Sequence, residues 1–246
     1  MAFPVILVDS SAGSDTAASG AGPSTAITGV AGVTSADGLT VTLDGTPDLS
    51  GVATDGSAVI FMSDTNAGSR NFGKITAVDN ALKTVTVADA FQALNTDAWA
   101  IGGKRLTLYS TTSKKLFDNN DVAGDAMPGW AIEMQSGFTE TLTAGNGIIP
   151  RRNGTSSGRI ELRGAAGGTR PVITTNQNSN GITTVGDYYK FSYFELRNTN
   201  ATKTASRGIF GNNGAACVLI QDVLINHATD YFWRGIEVSA EDPGNC

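Results

Sequence analysis

Apolar and polar residues alternate with period two along much of the first hundred positions, and turn residues punctuate the alternation. Leu39-Thr40-Val41-Thr42-Leu43 runs into Asp44-Gly45, Ala58-Val59-Ile60-Phe61-Met62 follows Asp55-Gly56, and further runs cover 72 to 78, 84 to 87 and 98 to 101. Five short strands joined by Asp-Gly and Asp-Asn turns predict a small antiparallel barrel or sandwich over 29–103. Ahead of it, Phe3-Pro4-Val5-Ile6-Leu7 is an apolar opening, followed by a stretch of Ser, Ala, Gly and Thr reaching Pro23. So small a set of side chains buries too little surface to offset its ordering entropy, so 1–28 is expected to be an extended arm that orders on a partner. Gly102-Gly103-Lys104-Arg105 marks the start of a junction over 104–128.

From 129 to 246 the pattern changes to an internal repeat. Gly-Ile pairs place Ile148, Ile182, Ile209 and Ile236 at steps of 34, 27 and 27. A second pattern moves with them: Phe191, Phe194 and Leu196 recur 29 residues later as Ile220, Val223 and Ile225. Ile160 and Leu162 precede Phe194 and Leu196 by 34, which aligns those two pairs if 164–168 is a loop insertion. A β-rich unit of 27 to 34 residues, with Gly at its corners and no 3.6-residue periodicity, is too short for a propeller blade and wrong for helical repeats. It fits one coil of a right-handed parallel β-helix, in which strands of successive coils pair about 4.8 Å apart and like apolar residues stack inside. The expected interior comprises Ile148, Ile182, Ile209, Ile236, Phe194, Leu196, Val223 and Ile225, with Asn198 and His227 as equivalent turn residues. By the same spacing the next core residue falls at position 247, so the solenoid is expected to continue beyond Cys246. The fold class expected is therefore all-β: a small N-terminal antiparallel β-domain, then the first coils of a right-handed parallel β-helix.

Composition narrows the function classes. Charged residues are 16% of 246, below the usual quarter, and the net charge is -6 with basic residues scattered, so no nucleic-acid footprint is expected. No apolar run approaches the roughly 20 residues that cross a bilayer, and no membrane insertion is expected. The opening residues lack the basic and long apolar regions of a signal peptide, so nothing is expected to address the chain to a secretion channel. One histidine, His227, cannot supply a multi-histidine metal site, and Cys217 and Cys246, 29 apart, form no zinc signature and read as a buried thiol and a chain-end thiol. No cofactor or metal ligand is assigned.

Candidate chemistry is sparse. Gly68-Ser69-Arg70-Asn71-Phe72-Gly73-Lys74-Ile75 nearly matches a phosphate-binding loop, but Ile75 stands where Ser or Thr meets magnesium, and a strand follows where a helix is required. Asp64-Thr65-Asn66-Ala67-Gly68 has alternate oxygen ligands but no downstream bidentate Glu, so a turn is expected. Polysaccharide hydrolysis needs two carboxylates about 5 to 9.5 Å apart. Glu133, Glu161, Glu195 and Glu237 lie on strand patterns with Asp222 and Asp230 beside them, yet outward acids on any solvated face read the same way, so no catalytic residue is assigned. Asn153-Gly154-Thr155 and Asn200-Ala201-Thr202 would be glycosylation sequons only in a secretory compartment.

Several segments resemble a known family. Trp130-Ala131-Ile132-Glu133-Met134 leading to Gly137-Phe138-Thr139-Glu140, then 159 to 164, Pro171-Val172-Ile173, and the apolar pattern from Tyr189 to Asn198, resemble the opening coils of pectate-lyase-like β-helices. Residues 44 to 51 and 99 to 105 are similar to segments that precede β-helices in structural proteins of tailed bacteriophages. The resemblance implies a virion spike, fibre or decoration protein, a homotrimer bound to capsid or tail proteins and facing host surface polysaccharide. In that reading Phe3, Pro4, Val5, Ile6 and Leu7 attach to the particle by adding to a neighbour's sheet. The rival position for 3–8 is the first strand of the chain's own β-domain. The alternative function is a polysaccharide-degrading tailspike hydrolase or lyase, and a third, a bacterial surface adhesin, would need a secretion signal.

Overall fold

The computed structural model describes residues 2–14, 16–62, 72–91, 96–108, 128–142, 148, 150, 153–175, 180–199, 207–211, 217–226 and 234–238. It divides into two units, Met1–Lys115 and Leu116–Cys246. All regular structure is β, with no helix among the described residues.

The first unit contains β1 (Val5–Val8), β2 (Ile27–Thr34), β3 (Thr40–Thr42), β4 (Val59–Met62), β5 (Phe72–Asp79), β6 (Thr84–Val87) and β7 (Thr96–Ile101). Strands β2 to β7 close an antiparallel barrel in the order β2-β3-β6-β5-β4-β7. Period-two alternation sends Val41, Ile60, Ile75, Val85, Val87, Trp99 and Ile101 into one core. The barrel was legible in the sequence except for β2, whose glycines weaken the strand pattern. Its pairing with β7 shifts register between Gly29 and Gly32, a bulge that the alternation does not announce.

Residues 2–26 differ from the expected extended arm. β1 runs parallel to the segment at Arg105, whose N–H donates to the Leu7 carbonyl (2.9 Å) while the Asp9 N–H donates to the Arg105 carbonyl (2.8 Å). Ile6, Val8, Ala17, Ala18 and Ser19 are buried, and Ala21 N–H bonds Ser57 O at 3.0 Å. The apolar alternation of β1 supplies burial, and the small residues that follow let the backbone lie close to its neighbours. The junction residues belong here too. Gly102 and Gly103 take φ of +77° and +74°, and a side chain at Gly102 would collide with the Pro23 carbonyl. Arg105 is buried, its guanidinium 5.3 and 5.4 Å from the ring centroids of Phe61 and Phe72, with Nη1 donating to Ala17 O at 3.1 Å.

The second unit contains β8 (Ala131–Met134), β9 (Thr139–Leu142), β10 (Ile160–Gly164), β11 (Val172–Thr175), β12 (Ile182–Thr184), β13 (Tyr189–Ser192), β14 (Glu195–Asn198), β15 (Arg207–Gly211), β16 (Leu219–Gln221), β17 (Leu224–Ile225) and β18 (Arg234–Val238). They pair in parallel as three ladders: β8-β10-β13-β16, β9-β11-β14-β17 and β12-β15-β18. Successive strands in the chain go to successive ladders, so each repeat places one strand in each.

The isoleucine column follows the repeat. Ile148 bridges Ile182, Ile182 is the partner of Ile209, and Ile209 of Ile236. The first three are 1%, 0% and 2% exposed, but Ile236 is 51% exposed. Phe194 and Leu196 are buried, whereas Val223 and Ile225 are half-buried. Ile236 thus departs from the expected interior, and Val223 and Ile225 fall short of full burial. All three lie at the last rung described in their ladders, where no further described strand covers them.

The alignment of Ile160 and Leu162 also changes. Ile160 pairs with Tyr189 and Leu162 with Phe191, a step of 29, while the ladder partner of Leu196 is Ile173. The loop around Gly167 lies between β10 and β11, inside the 29-residue step from Ile160 to Tyr189, and a shorter path from β11 to β13 than from β14 to β16 offsets it. A sequence offset taken across that loop mixes the two ladders. His227 lies outside the described residues. Asn198, its counterpart, is buried.

Candidate functional site

Each strand of the β8-β10-β13-β16 ladder turns alternate residues inward. Ile132, Leu162, Phe191 and Ile220 form one column of partners. The intervening outward positions stack as well: Glu133, Arg163, Ser192 and Gln221 are successive partners, and beside them run Glu161, Lys190 and Leu219. Of these, Glu133, Arg163, Lys190, Ser192 and Gln221 floor an open groove of about 480 Å³, walled by Tyr193 and Asp222 at the bend beyond β13 and β16.

Arg163 is the pivot of this face. Its Nε donates to Glu133 Oε2 at 3.0 Å and its Nη1 to Glu161 Oε2 at 3.1 Å, while Lys190 Nζ lies 3.5 Å from Glu161 Oε1. Gln135 Nε2 donates to the other Glu133 oxygen at 3.3 Å. Two of the six carboxylates singled out in the sequence, Glu133 and Glu161, are therefore brought to adjacent strands, but each is occupied by a cation. That arrangement ties the strands together across the sheet face and neutralises it.

The other carboxylates stand apart. Glu195, on β14 in a different ladder, accepts from Arg197 Nε at 2.7 Å and Nη2 at 3.1 Å, and from Asn226 Nδ2 at 3.2 Å. The Arg197 guanidinium first, with Asn226 adding to it, holds the Glu195 carboxyl below the usual glutamate range against the opposing effect of burial. Asp222 sits exposed at the bend, 3.0 Å from Arg170 Nη2. Glu237 is placed by its backbone alone, as the partner of Phe210, and Asp230 lies outside the described residues.

The remaining motifs resolve as follows. Phe72 to Thr76 lies within β5, while 63–71, including the calcium-like turn, lies outside the described residues. Cys217 is buried and takes part in a disulfide, in place of the expected thiol; Cys246 is outside the described residues. Asn153 accepts from the Asp187 N–H at 3.1 Å, and Asn200 is not described. No group of three or more His, Cys, Asp or Glu converges among the described residues. Of the attachment candidates, Pro4 and Ile6 are buried, Val5 and Leu7 are half-buried, and Phe3 is exposed beneath the Lys74 ammonium, 5.6 Å from its ring centroid.

Sequence reasoning missed two arrangements. One is the Arg163 pivot, signalled by the steps of 30, 29 and 29 from Glu133 through Arg163 and Ser192 to Gln221. The other is Asp44, read only as a turn residue. Its carboxylate accepts from Trp99 Nε1 at 2.6 Å and from the N–H groups of Ala31 and Val30 at 3.1 and 3.2 Å, which pins the β2 bulge to β7 and lowers its pKa, the Trp99 bond foremost.

No family model, curated protein or solved structure matches the chain.

Proposed function

We propose that this chain is a structural protein of a tailed-bacteriophage particle, a spike, fibre or decoration protein. In this reading the second unit is a right-handed parallel β-helix that projects toward the host surface, and the first unit faces other capsid or tail proteins of the virion. The observation that carries the reading is the in-register stacking of like residues over successive repeats, Ile148 through Ile209 in one ladder and Ile132 through Ile220 in another. A ladder of that kind makes a stiff rod whose length grows with repeat number, the mechanical requirement of a projection. The occupied carboxylates of the outer face favour display over hydrolysis. Attachment falls to the surface of the first unit around exposed Phe3, since Ile6 is enclosed. A homotrimer and a host polysaccharide partner belong to the same reading.

Density-gradient purification of particles from a lysate that expresses the chain, followed by peptide mass spectrometry, tests it. The chain should band with the particles at a stoichiometry set by the particle's symmetry. Recovery only in the soluble fraction would overturn the assignment.

A further inference from the structure

We propose that Arg159 and Arg170 are clamps, each holding three successive repeats of the second unit in register so that these repeats open together. The argument begins with equivalence. The partners Glu161, Lys190 and Leu219 place Arg159, Tyr188 and Cys217 at one position of three consecutive repeats, two residues before each partner. The partners Val172, Glu195 and Leu224 do the same for Arg170, Tyr193 and Asp222.

The two triplets share one geometry. The Arg159 guanidinium lies 5.8 Å from the Tyr188 ring centroid, and its Nη1 donates to the Cys217 carbonyl. The Arg170 guanidinium lies 4.6 Å from the Tyr193 centroid, and its Nη1 donates to the Asp222 carbonyl, with Nη2 on the Asp222 carboxylate. In each, the arginine of one repeat packs on the tyrosine of the next and bonds the backbone of the one after. The middle and last residues all take left-handed φ, +58° and +63° at Tyr188 and Cys217, +56° and +52° at Tyr193 and Asp222. Four non-glycine residues in that conformation cost free energy, and among the described residues of the second unit it is only these four, at the two bends the arginines bridge, that adopt it. The clamps bracket the middle strand β13, one before it and one after it.

The consequence concerns cooperativity. In a stacked repeat, ladder hydrogen bonds and apolar columns couple only nearest neighbours, so an end repeat can open alone. A guanidinium that reaches two repeats away couples the first to the third directly. Arginine suits this because its planar group stacks on a ring while its fork still donates, which a lysine ammonium cannot do.

Native-state amide exchange on the full chain tests the clamps, comparing wild type with Arg159→Ala/Arg170→Ala and with the paired lysine variant. Protection of 219–225 should fall about tenfold or more in both, while that of 160–164 changes less than about twofold, because the third repeat now opens separately. Unchanged protection of 219–225, or an equal loss over both segments, would overturn the proposal. The lysine pair, which keeps charge, covers the case in which the alanine pair does not fold. Asp222→Asn keeps the carbonyl acceptor and should alter protection less than about twofold, and an effect matching that of Arg170→Ala would reduce the clamp to an ion pair and contradict it.

Discussion

Ile209 lies beside Ile182 as its direct ladder partner, 27 residues on, and the two side chains share one buried column with Ile148. A charge there has no partner and no water. Ile209→Asp should therefore lower the unfolding free energy by about 4 kcal/mol, while Ile236→Asp, at the exposed end of the same column, should cost less than about 1 kcal/mol. Urea denaturation of the two variants makes the comparison. Equal, small effects would show that Ile209 is not enclosed.

Arg163 carries two carboxylates on the outer face of its sheet, and its side chain is 34% exposed. Arg163→Met should destabilise by about 1 kcal/mol at low salt, a modest figure because water screens the face, and the difference from wild type should shrink in about 1 M salt. Thermal melts across a salt series read this directly.

What was legible in the sequence follows from what stacking requires. Like residues recur because each rung repeats the environment of the last, so Phe191 and Ile220 announced their partnership. The step from Leu162 was misread because the 34-residue offset to Leu196 compares strands of two different ladders, while the extra residues after β10 are offset by a shorter path from β11 to β13. β2 stayed hidden because Gly29 and Gly32 interrupt its alternation at a bulge held by Asp44, a contact 55 residues from Trp99 in sequence. Arg159 and Arg170 each stand in a left-out column of the repeat, where an arginine, a tyrosine and a third, unlike residue share no chemical pattern.

Asp9 and Glu195 should make the protein acid-sensitive. Lys104 foremost, then Ser11, depress the Asp9 carboxyl, as Arg197 does that of Glu195. Folded values below the ordinary 3.8 and 4.5 mean that this stability is fully present above those values and is lost as pH falls through the depressed folded ones. Melting temperatures from about pH 6 to about pH 2 should fall mainly below pH 4.5, and Lys104→Met should flatten part of the fall. A profile unchanged by Lys104→Met would remove Asp9 from the account.

The first unit depends on its opening strand. Deleting 2–12 removes Ile6 and Val8 from the interior and should unfold the barrel, whereas Phe3→Ser, at a half-exposed position, should leave its melting temperature unchanged and weaken incorporation into particles. Circular dichroism and particle incorporation separate the two effects. A folded barrel after the deletion would return 2–12 to the role of a free arm.

The polysaccharide-degrading alternative has its own readout. Incubated with host capsule or lipopolysaccharide, the chain should release no oligosaccharide. Release that disappears in Glu161→Gln or Glu195→Gln would place the protein among enzymes.

Electron cryomicroscopy of intact particles tests the central claim most directly. Projecting density on the capsid or tail should accommodate three chains, with right-handed coils about 4.8 Å apart and Ile148, Ile182 and Ile209 in one interior column. Particles that carry no such density, or a map in which those three isoleucines point to different faces, would contradict it.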